Sequence, residues 1–204
     1  MNVMQIQNEY SLTDKVRLAI WWLRTKLLCR EARLIRFPID IRGRKNIDFG
    51  RRLTTGKYCR LEAFKTIPVT GTKKKVIFGD NVQINDYVHI SSVSQVLIGD
   101  NTLIASHVYI SDNSHGSYKG DENDSAPDTP PAKRRYYASP VQIGSNVWLG
   151  EGVIVMPGVK IGDGAVIGAH SIVNKNIPEC CLAVGAPAKP IKRFNLSTKK
   201  WEKI

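Results

Sequence analysis

The chain has 204 residues, of which 42% are hydrophobic, and a formal net charge of +12 at pH 7. This length suits one domain with a core of its own. The longest apolar run covers residues 18–23, whereas a membrane-spanning helix needs about 20 apolar residues. The chain start lacks the pattern of an export signal, and four cysteines without a CxxC spacing favour reduced thiols. We therefore expect a cytoplasmic protein.

Residues 1–40 form a basic segment with a helical pattern. Residues 12–45 hold ten Lys or Arg and three Asp or Glu, a net charge of +7. Behind a possible cap at Ser11, the apolar residues with helical spacing are Val16, Ile20, Leu23 and Leu27. A basic helix with Trp21 and Trp22 can lie on an anionic membrane surface, or its apolar stripe can cover the open end of the next domain. Because the charge is concentrated here, we expect no nucleic acid partner.

A repeat of six residues dominates the rest of the chain. Six aliphatic residues stand six apart, at Ile143, Leu149, Val155, Ile161, Ile167 and Val173. The same frame holds Phe78, Ile84 and Ile90, then Ile98, Ile104 and Ile110, with a weaker trace at Phe49, Thr55 and Leu61. This period fits neither a helix nor an ordinary strand, so each hexapeptide is one short strand that ends in a turn. We predict an all-β solenoid over residues 41–190 and a C-terminal tail over 191–204.

A small residue follows most of these aliphatic residues, for example Gly79, Gly99, Gly144 and Gly150. Glycine adopts positive φ without a steric penalty. We therefore expect these glycines to turn the chain at the corners of the solenoid.

The repeat is interrupted between Ile110 and Ile143 by 32 intervening residues. This stretch is rich in Gly and Pro and predicts a protruding loop at about 112–139. Insertions in a solenoid often carry function, because the rigid stack fixes their ends. The loop begins at Asp112 and contains His115.

Several segments resemble a known family. The blocks 141–146, 147–152 and 159–164 look like the hexapeptide repeats of left-handed parallel β-helix acyltransferases. Segments 78–90, 110–116 and 184–189 make the chain most similar to bacterial O-acetyltransferases of lipopolysaccharide, capsule and colanic acid synthesis. The resemblance implies a left-handed β-helix with three hexapeptides per coil, and a homotrimer with sites between subunits. It also implies acetyl-CoA as the donor, with no permanently bound cofactor, and a sugar hydroxyl of a surface polysaccharide or its precursor as the acceptor.

His115 is the candidate catalyst. Acetyl transfer to an alcohol needs a base that works near neutral pH, and imidazole meets that need. The resemblance places His115 where these enzymes have their general base. Either Asp112 or a loop carbonyl could hold its other ring nitrogen.

Asn85 and Trp148 are the candidates for acceptor binding that the resemblance implies. An asparagine at a corner also stabilises turns, and a Trp on a flat face also packs against a neighbouring subunit. Both alternatives stay open.

The amides of Gly150 and Glu151 could stabilise the thioester oxyanion. The resemblance runs the cofactor along an edge that holds Ala169, Asn174, Lys175, Lys189 and Lys192, where cations can neutralise phosphates. The alternative is a solvated basic tail.

Three other histidines, His89, His107 and His170, fall within repeats and fit wall positions. Their spacing with His115 does not favour zinc, so we expect no metal. The remaining alternatives are an N-acetyltransferase on an amino sugar, an enzyme that takes a longer acyl chain from a carrier protein, and a non-catalytic binding module.

Overall fold

A computed structural model of the protein describes residues 9–65 and 74–204. This part of the chain begins with helix α1 (Leu12–Leu28). The Ser11 hydroxyl accepts a hydrogen bond from the Asp14 amide at 3.2 Å, and the Ser11 amide donates one to the Asp14 carboxylate at 3.3 Å. These two bonds form a capping box, so the cap predicted from the sequence is confirmed.

The other elements are short strands and two 3-10 turns. The strands in chain order are β1 (Ile39–Arg42), β2 (Ile47–Asp48), β3 (Thr54–Thr55), β4 (Cys59–Ala63), β5 (Val76–Phe78), β6 (Gln83–Ile84), β7 (His89–Ser92), β8 (Val96–Ile98), β9 (Leu103–Ile104), β10 (Tyr109–Ser111), β11 (Asn113–His115), β12 (Tyr136–Ala138), β13 (Val141–Ile143), β14 (Trp148–Leu149), β15 (Ile154–Val155), β16 (Lys160–Ile161), β17 (Val166–Ile167), β18 (Ile172–Val173), β19 (Cys181–Gly185), β20 (Ala188–Asn195) and β21 (Lys200–Lys203). The 3-10 turns cover Arg44–Asn46 and Pro131–Lys133.

Most of these strands form the three faces of a triangular solenoid. Face I holds β1, β4, β7, β10, β15 and β18; face II holds β2, β5, β8, β13 and β16; face III holds β3, β6, β9, β14, β17 and β19. Strands on each of these faces run parallel, with inward residues in register, such as Ile84 beside Ile104 and Ile143 beside Ile161. The residues of the six-residue frame are all buried, and all except Thr55 belong to one hydrophobic core. The predicted solenoid and its upstream coils are confirmed.

Glycine after the inward residue serves a different purpose from the one expected. We number each corner from the inward residue i. The left-handed residue is at i+3, for example Asn101 with a φ of 56°; of the glycines at i+1, Gly50 has a positive φ, but Gly79, Gly99, Gly144 and Gly150 do not. A Cβ on Gly99, at i+1, would lie 2.6 Å from the carbonyl carbon of Gly144 in the next coil. The expectation was wrong because the close approach of coils, and not the sign of φ, excludes a side chain there.

The protruding loop leaves the solenoid after β10 and returns at β13, where the interrupted frame predicts it. Its stem is an antiparallel pair, with His115 of β11 opposite Tyr136 of β12. The loop is therefore anchored by a small sheet of its own.

The C-terminal residues differ from the predicted tail. Strands β19, β20 and β21 form an antiparallel meander that extends face III. The predicted boundary at 190/191 falls inside β20, because backbone hydrogen bonding continues across it. At the other end, β1 spans the predicted boundary at 40/41.

Helix α1 packs on the solenoid through a face that the sequence pattern did not select. Thr25 is fully buried, and its hydroxyl accepts a 2.8 Å hydrogen bond from the Ile35 amide. Leu18 and Trp21 are half-buried on the same side. By contrast Val16 and Leu23 are more than half exposed, so the predicted stripe does not cover the solenoid. Within the described residues, no helix has the length and hydrophobicity that crossing a bilayer requires.

Candidate functional site

His115 projects from the stem of the protruding loop and is exposed. Its ring packs against that of Tyr136, with 4.5 Å between ring centroids. Its carbonyl oxygen accepts a 2.5 Å hydrogen bond from the Tyr118 hydroxyl, which in turn accepts one from Arg134 at 2.7 Å. No hydrogen bond from the described residues reaches its ring nitrogens. The loop thus fixes the backbone of His115 and leaves the imidazole open to a ligand.

Asp112 does not contact His115. The carboxylate is fully buried at the foot of the loop. It accepts hydrogen bonds from the Ser92 hydroxyl at 2.8 Å, from the Asn113 side chain at 3.0 Å, and from two amides of the preceding coil at 2.8 and 2.9 Å. Across the described ranges no hydrogen bond joins Asp112 to His115. Because its oxygens are already occupied, Asp112 fixes where the loop leaves the solenoid, and a direct role in catalysis stays a prediction.

Four of the candidate residues lie at the corner between faces III and I. Asn85 follows β6, Gly150 and Glu151 follow β14, and Ala169 follows β17. The Gly150 amide donates a 2.8 Å hydrogen bond to the Ile167 carbonyl in the next coil. It is therefore unavailable to an oxyanion, and this part of the prediction for Gly150 is wrong.

The amide at i+2 distinguishes this corner from the corner between faces II and III. At corner II–III, a side chain of the next coil accepts a hydrogen bond from the i+2 amide in three successive coils. Asp100 accepts from the Asp80 amide at 2.7 Å, Ser145 from the Asp100 amide at 3.1 Å, and Asp163 from the Ser145 amide at 2.8 Å. These three amides are capped, whereas within the described residues the Asp163 amide, at i+2 of the following coil, has no acceptor.

At corner III–I the capping stops. Asp86 still accepts a 2.7 Å hydrogen bond from the Lys57 amide. Three coils further along, Ala169 occupies the capping position and its side chain has no oxygen that could accept a hydrogen bond. Within the described residues, the amides of Glu151 and Ala169 have no acceptor. Successive coils therefore present unpaired N–H groups along one edge, which is an arrangement suited to an anionic or carbonyl ligand.

The same corner carries an aromatic ladder that sequence reasoning missed. The rings of Tyr58, Tyr87 and His107 stack at successive i+3 positions, with centroid distances of 5.0 and 4.8 Å. The ladder is interrupted at Gly152, where the next coil's His170 fills the place that a Cβ would take. Writing the coils of this chain one below another and comparing their i+3 residues would have revealed the ladder.

Trp148 points outward from face III and is 51% exposed. It lies between Leu103 and Val166 of the adjacent strands. A half-exposed indole within an apolar strip is typical of an interaction surface. Both predicted roles, acceptor binding and subunit packing, are compatible with this position.

The remaining cofactor candidates lie elsewhere on the solenoid. Asn174 and Lys175 follow β18 at corner I–II and are exposed, whereas Lys189 and Lys192 belong to β20 beside β19. The two lysines are thus held on a sheet and are not part of a solvated tail. A single chain does not bring these residues, His115 and corner III–I together.

A polar cluster on face I was also missed. Glu62 is almost fully buried and accepts hydrogen bonds from Arg42 at 3.0 Å, Arg60 at 2.6 Å and His89 at 2.9 Å. Burial raises the pKa of Glu62, but hydrogen bonds from His89 and Arg60 outweigh it, and its pKa lies below the usual value. In the described part of the chain, no group of three or more His, Cys, Asp or Glu residues is placed to hold a metal ion.

Comparison with known proteins assigns the class. The family profile described as bacterial transferase hexapeptide (six repeats) matches residues 140–175. A protein of Escherichia coli (strain K12), provisionally named lipopolysaccharide biosynthesis O-acetyl transferase WbbJ, is 45% identical over 201 residues, or 98% of this chain and 99% of that protein. The chain therefore belongs to the hexapeptide-repeat acyltransferase family, and it is an acyltransferase.

Two solved structures are similar to most of the chain. A maltose O-acetyltransferase from Clostridium difficile 630 is 27% identical with a TM-score of 0.60, and the match covers 91% of this chain and 92% of that one. A galactoside acetyltransferase in complex with coenzyme A is 28% identical with a TM-score of 0.52, covering 92% and 89%. The shared fold supports the left-handed winding that the resemblance implies.

Proposed function

We propose that the protein transfers the acetyl group of acetyl-CoA to a sugar hydroxyl of lipopolysaccharide, of another surface polysaccharide, or of a precursor of either. The observation that carries this proposal is the 45% sequence identity, over nearly the whole chain, with the Escherichia coli protein provisionally named lipopolysaccharide biosynthesis O-acetyl transferase. The coenzyme A bound to the similar galactoside acetyltransferase supports the choice of donor. Acetyl-CoA is a substrate here, and no permanently bound cofactor is required.

In this proposal His115 is the general base. An alcohol is a weak nucleophile until its proton is being removed. The hydroxyl proton passes to the imidazole while the oxygen bonds to the acetyl carbonyl carbon. The C–S bond then breaks, and the thiol of coenzyme A leaves with the proton from the imidazolium. The exposed ring on a braced loop supports this role.

The Glu151 amide is the oxyanion donor in this mechanism, in place of that of Gly150. As the new C–O bond forms, negative charge develops on the carbonyl oxygen, and a fixed unpaired N–H stabilises it. The Ala169 amide, one coil away, binds the pantetheine arm. Asn174, Lys175, Lys189 and Lys192 bind the phosphorylated end of coenzyme A, while Asn85 contacts the acceptor.

The site is shared between subunits of a trimer. His115 leaves one chain near corner I–II, whereas the unpaired amides lie at corner III–I, and a rigid stack cannot fold these edges together. A neighbouring copy can place its loop over corner III–I and bring His115 opposite Trp148. The half-exposed apolar strip around Trp148 supports this packing.

The reaction takes place in the cytoplasm. None of the four cysteines, all within the described part of the chain, forms a disulfide, and reduced thiols are typical of that compartment.

The test is thiol release from acetyl-CoA with a panel of free and lipid-linked sugars. His115→Ala should lower kcat by about 2–4 decades with little effect on acetyl-CoA affinity. His89→Ala and His107→Ala are matched controls, and loss of turnover in either, with His115→Ala still active, would move the base elsewhere. Acetylation of amino sugars alone would identify an N-acetyltransferase. No detectable binding of acetyl-CoA would favour a non-catalytic module.

Subunit mixing tests the shared site. His115→Ala and Trp148→Ala chains, each impaired alone, are unfolded together and refolded as mixed trimers. If each site takes His115 from one chain and Trp148 from the next, random mixing restores about one site in four. If both residues act within one chain, mixing restores none.

A further inference from the structure

Helix α1 carries an apolar stripe that the solenoid does not cover. The α1 stripe consists of Leu12, Val16, Ile20, Leu23 and Leu27, and these side chains are 50% to 88% exposed. With 3.6 residues per turn, the five positions fall within an arc of about 80°. The helix therefore presents one continuous apolar surface to its surroundings.

The α1 stripe is on the outer side because the helix is fastened by its other side. Thr25, Trp21 and Leu18 face the solenoid, centred about 170° from the stripe. The Thr25 hydroxyl bonds the Ile35 amide at 2.8 Å, and the Arg24 guanidinium lies over the Phe37 ring, 4.0 Å from its centroid. The helix is thus held with the stripe outward, and covering the solenoid is not the role of the stripe.

Positive charge flanks the α1 stripe on both sides. Lys15 and Lys26 lie along one edge, and Arg17 and Arg24 lie along the other. A helix of 17 residues is about 25 Å long, so the apolar surface and its cations extend along several turns. An apolar stripe between rows of cations is the pattern of helices that lie in the interface of an anionic bilayer.

We propose that the α1 stripe docks this protein on an anionic lipid surface, with the helix parallel to the membrane plane. A second copy is a poor occupant, because stacking two stripes would bring the flanking cations of the two copies together. Lipid headgroups supply the opposite charge, and acyl chains accept the aliphatic side chains. Of the two tryptophans predicted to contact a membrane, Trp21 packs inward and only Trp22 is exposed. The proposal stands independently of the reaction that the protein catalyses.

The experiment is sedimentation of the full chain with vesicles. We expect binding to vesicles of phosphatidylethanolamine and phosphatidylglycerol, weak binding to phosphatidylcholine alone, and a decrease as salt screens the cations. The variant with Ile20→Ser and Leu23→Ser should bind at least about tenfold more weakly. The matched control with Leu196→Ser and Ile204→Ser, two aliphatic residues exposed near the C-terminus, should bind like the parent.

Three results would overturn the proposal. The parent could fail to bind anionic vesicles, or the Ile20→Ser and Leu23→Ser variant could bind as well as the parent. Third, the Ile20→Ser and Leu23→Ser variant could differ from the parent in the oligomeric mass measured by light scattering, which would show that another copy covers the stripe. Circular dichroism of every variant checks that the fold is retained, and the exposure of both positions gives no reason for it to be lost.

Discussion

Replacing Ala169 by aspartate should close the proposed oxyanion site without disturbing the solenoid. At corner III–I, Asp86 places a carboxylate oxygen 2.7 Å from the Lys57 amide of the preceding coil. Ala169 holds the same position relative to the Glu151 amide. An aspartate there can adopt the same geometry and accept the hydrogen bond that the thioester oxyanion would otherwise receive.

The structure predicts opposite effects on activity and stability. Loss of one oxyanion donor lowers kcat by about 10²–10³, and the added negative charge opposes charge development on the carbonyl oxygen as well. At the same time an unpaired amide gains a partner, a contribution of about 0.5–1.5 kcal/mol to the free energy of unfolding. Ala169→Asp should therefore be less active and at least as stable as the parent.

Two further variants separate the causes. Ala169→Asn also offers an oxygen but no charge, so its loss of kcat measures capping alone. Ala169→Val adds bulk without an acceptor and should change kcat by less than about tenfold. The assay is thiol release from acetyl-CoA, with urea unfolding followed by circular dichroism at one protein concentration. If Ala169→Val is as inactive as Ala169→Asp, bulk and not the Glu151 amide explains the loss, and the reasoning fails.

Three further predictions concern other parts of the chain. Gly99→Ala should lower the free energy of unfolding by about 3 kcal/mol because backbone obstructs the new Cβ. Gly164→Asn should change it little, because asparagine tolerates the φ of 65° at this position and the nearest atom to the new Cβ is 3.6 Å away. Equal losses in urea unfolding would contradict this. Replacing Lys189 and Lys192 by alanine should raise the KM for acetyl-CoA, less so at high salt, and a salt-independent effect would exclude phosphate contacts. Glu62→Gln should lower the free energy of unfolding at pH 7. The folded pKa of Glu62 is lowered, so its contribution to stability exists above the unfolded pKa of about 4.3 and disappears as pH falls through the folded value. A stability difference between the variant and the parent that persists in acid would refute the assignment.

The solenoid could be predicted because its core leaves little choice of residue. Each inward position contacts the coils before and after it, so aliphatic side chains recur at a fixed spacing, as from Ile143 to Val173. The protruding loop could also be predicted from the sequence, because it interrupts that spacing. The C-terminal meander could not be predicted in this way, because β20 and β21 follow no six-residue frame: β20 alternates as an ordinary strand does, and β21 is exposed along its length.

Side-chain partners were less predictable. The sequence offered Asp112 as a partner for His115 because the two are close along the chain, but burial places the carboxylate against Ser92 of another coil. In α1, Val16 and Leu23 have the spacing of a core face. The buried Thr25 instead fixes which side of the helix packs. Such contacts depend on the path of the chain, which a local pattern does not encode.

The proposed catalytic edge depends on a missing side-chain acceptor, which a search for reactive side chains does not find. In this solenoid the i+1 amides bond the next coil, as Gly150 does, and the i+3 amides bond the preceding coil, as Gly152 does. Only the i+2 amide is left for a side chain to cap. For the Glu151 amide the capping position holds Ala169, a residue without an acceptor, so this amide stays free for a ligand. Reading the i+2 column coil by coil would have selected this corner from the sequence, because one alanine there leaves the Glu151 amide unpaired.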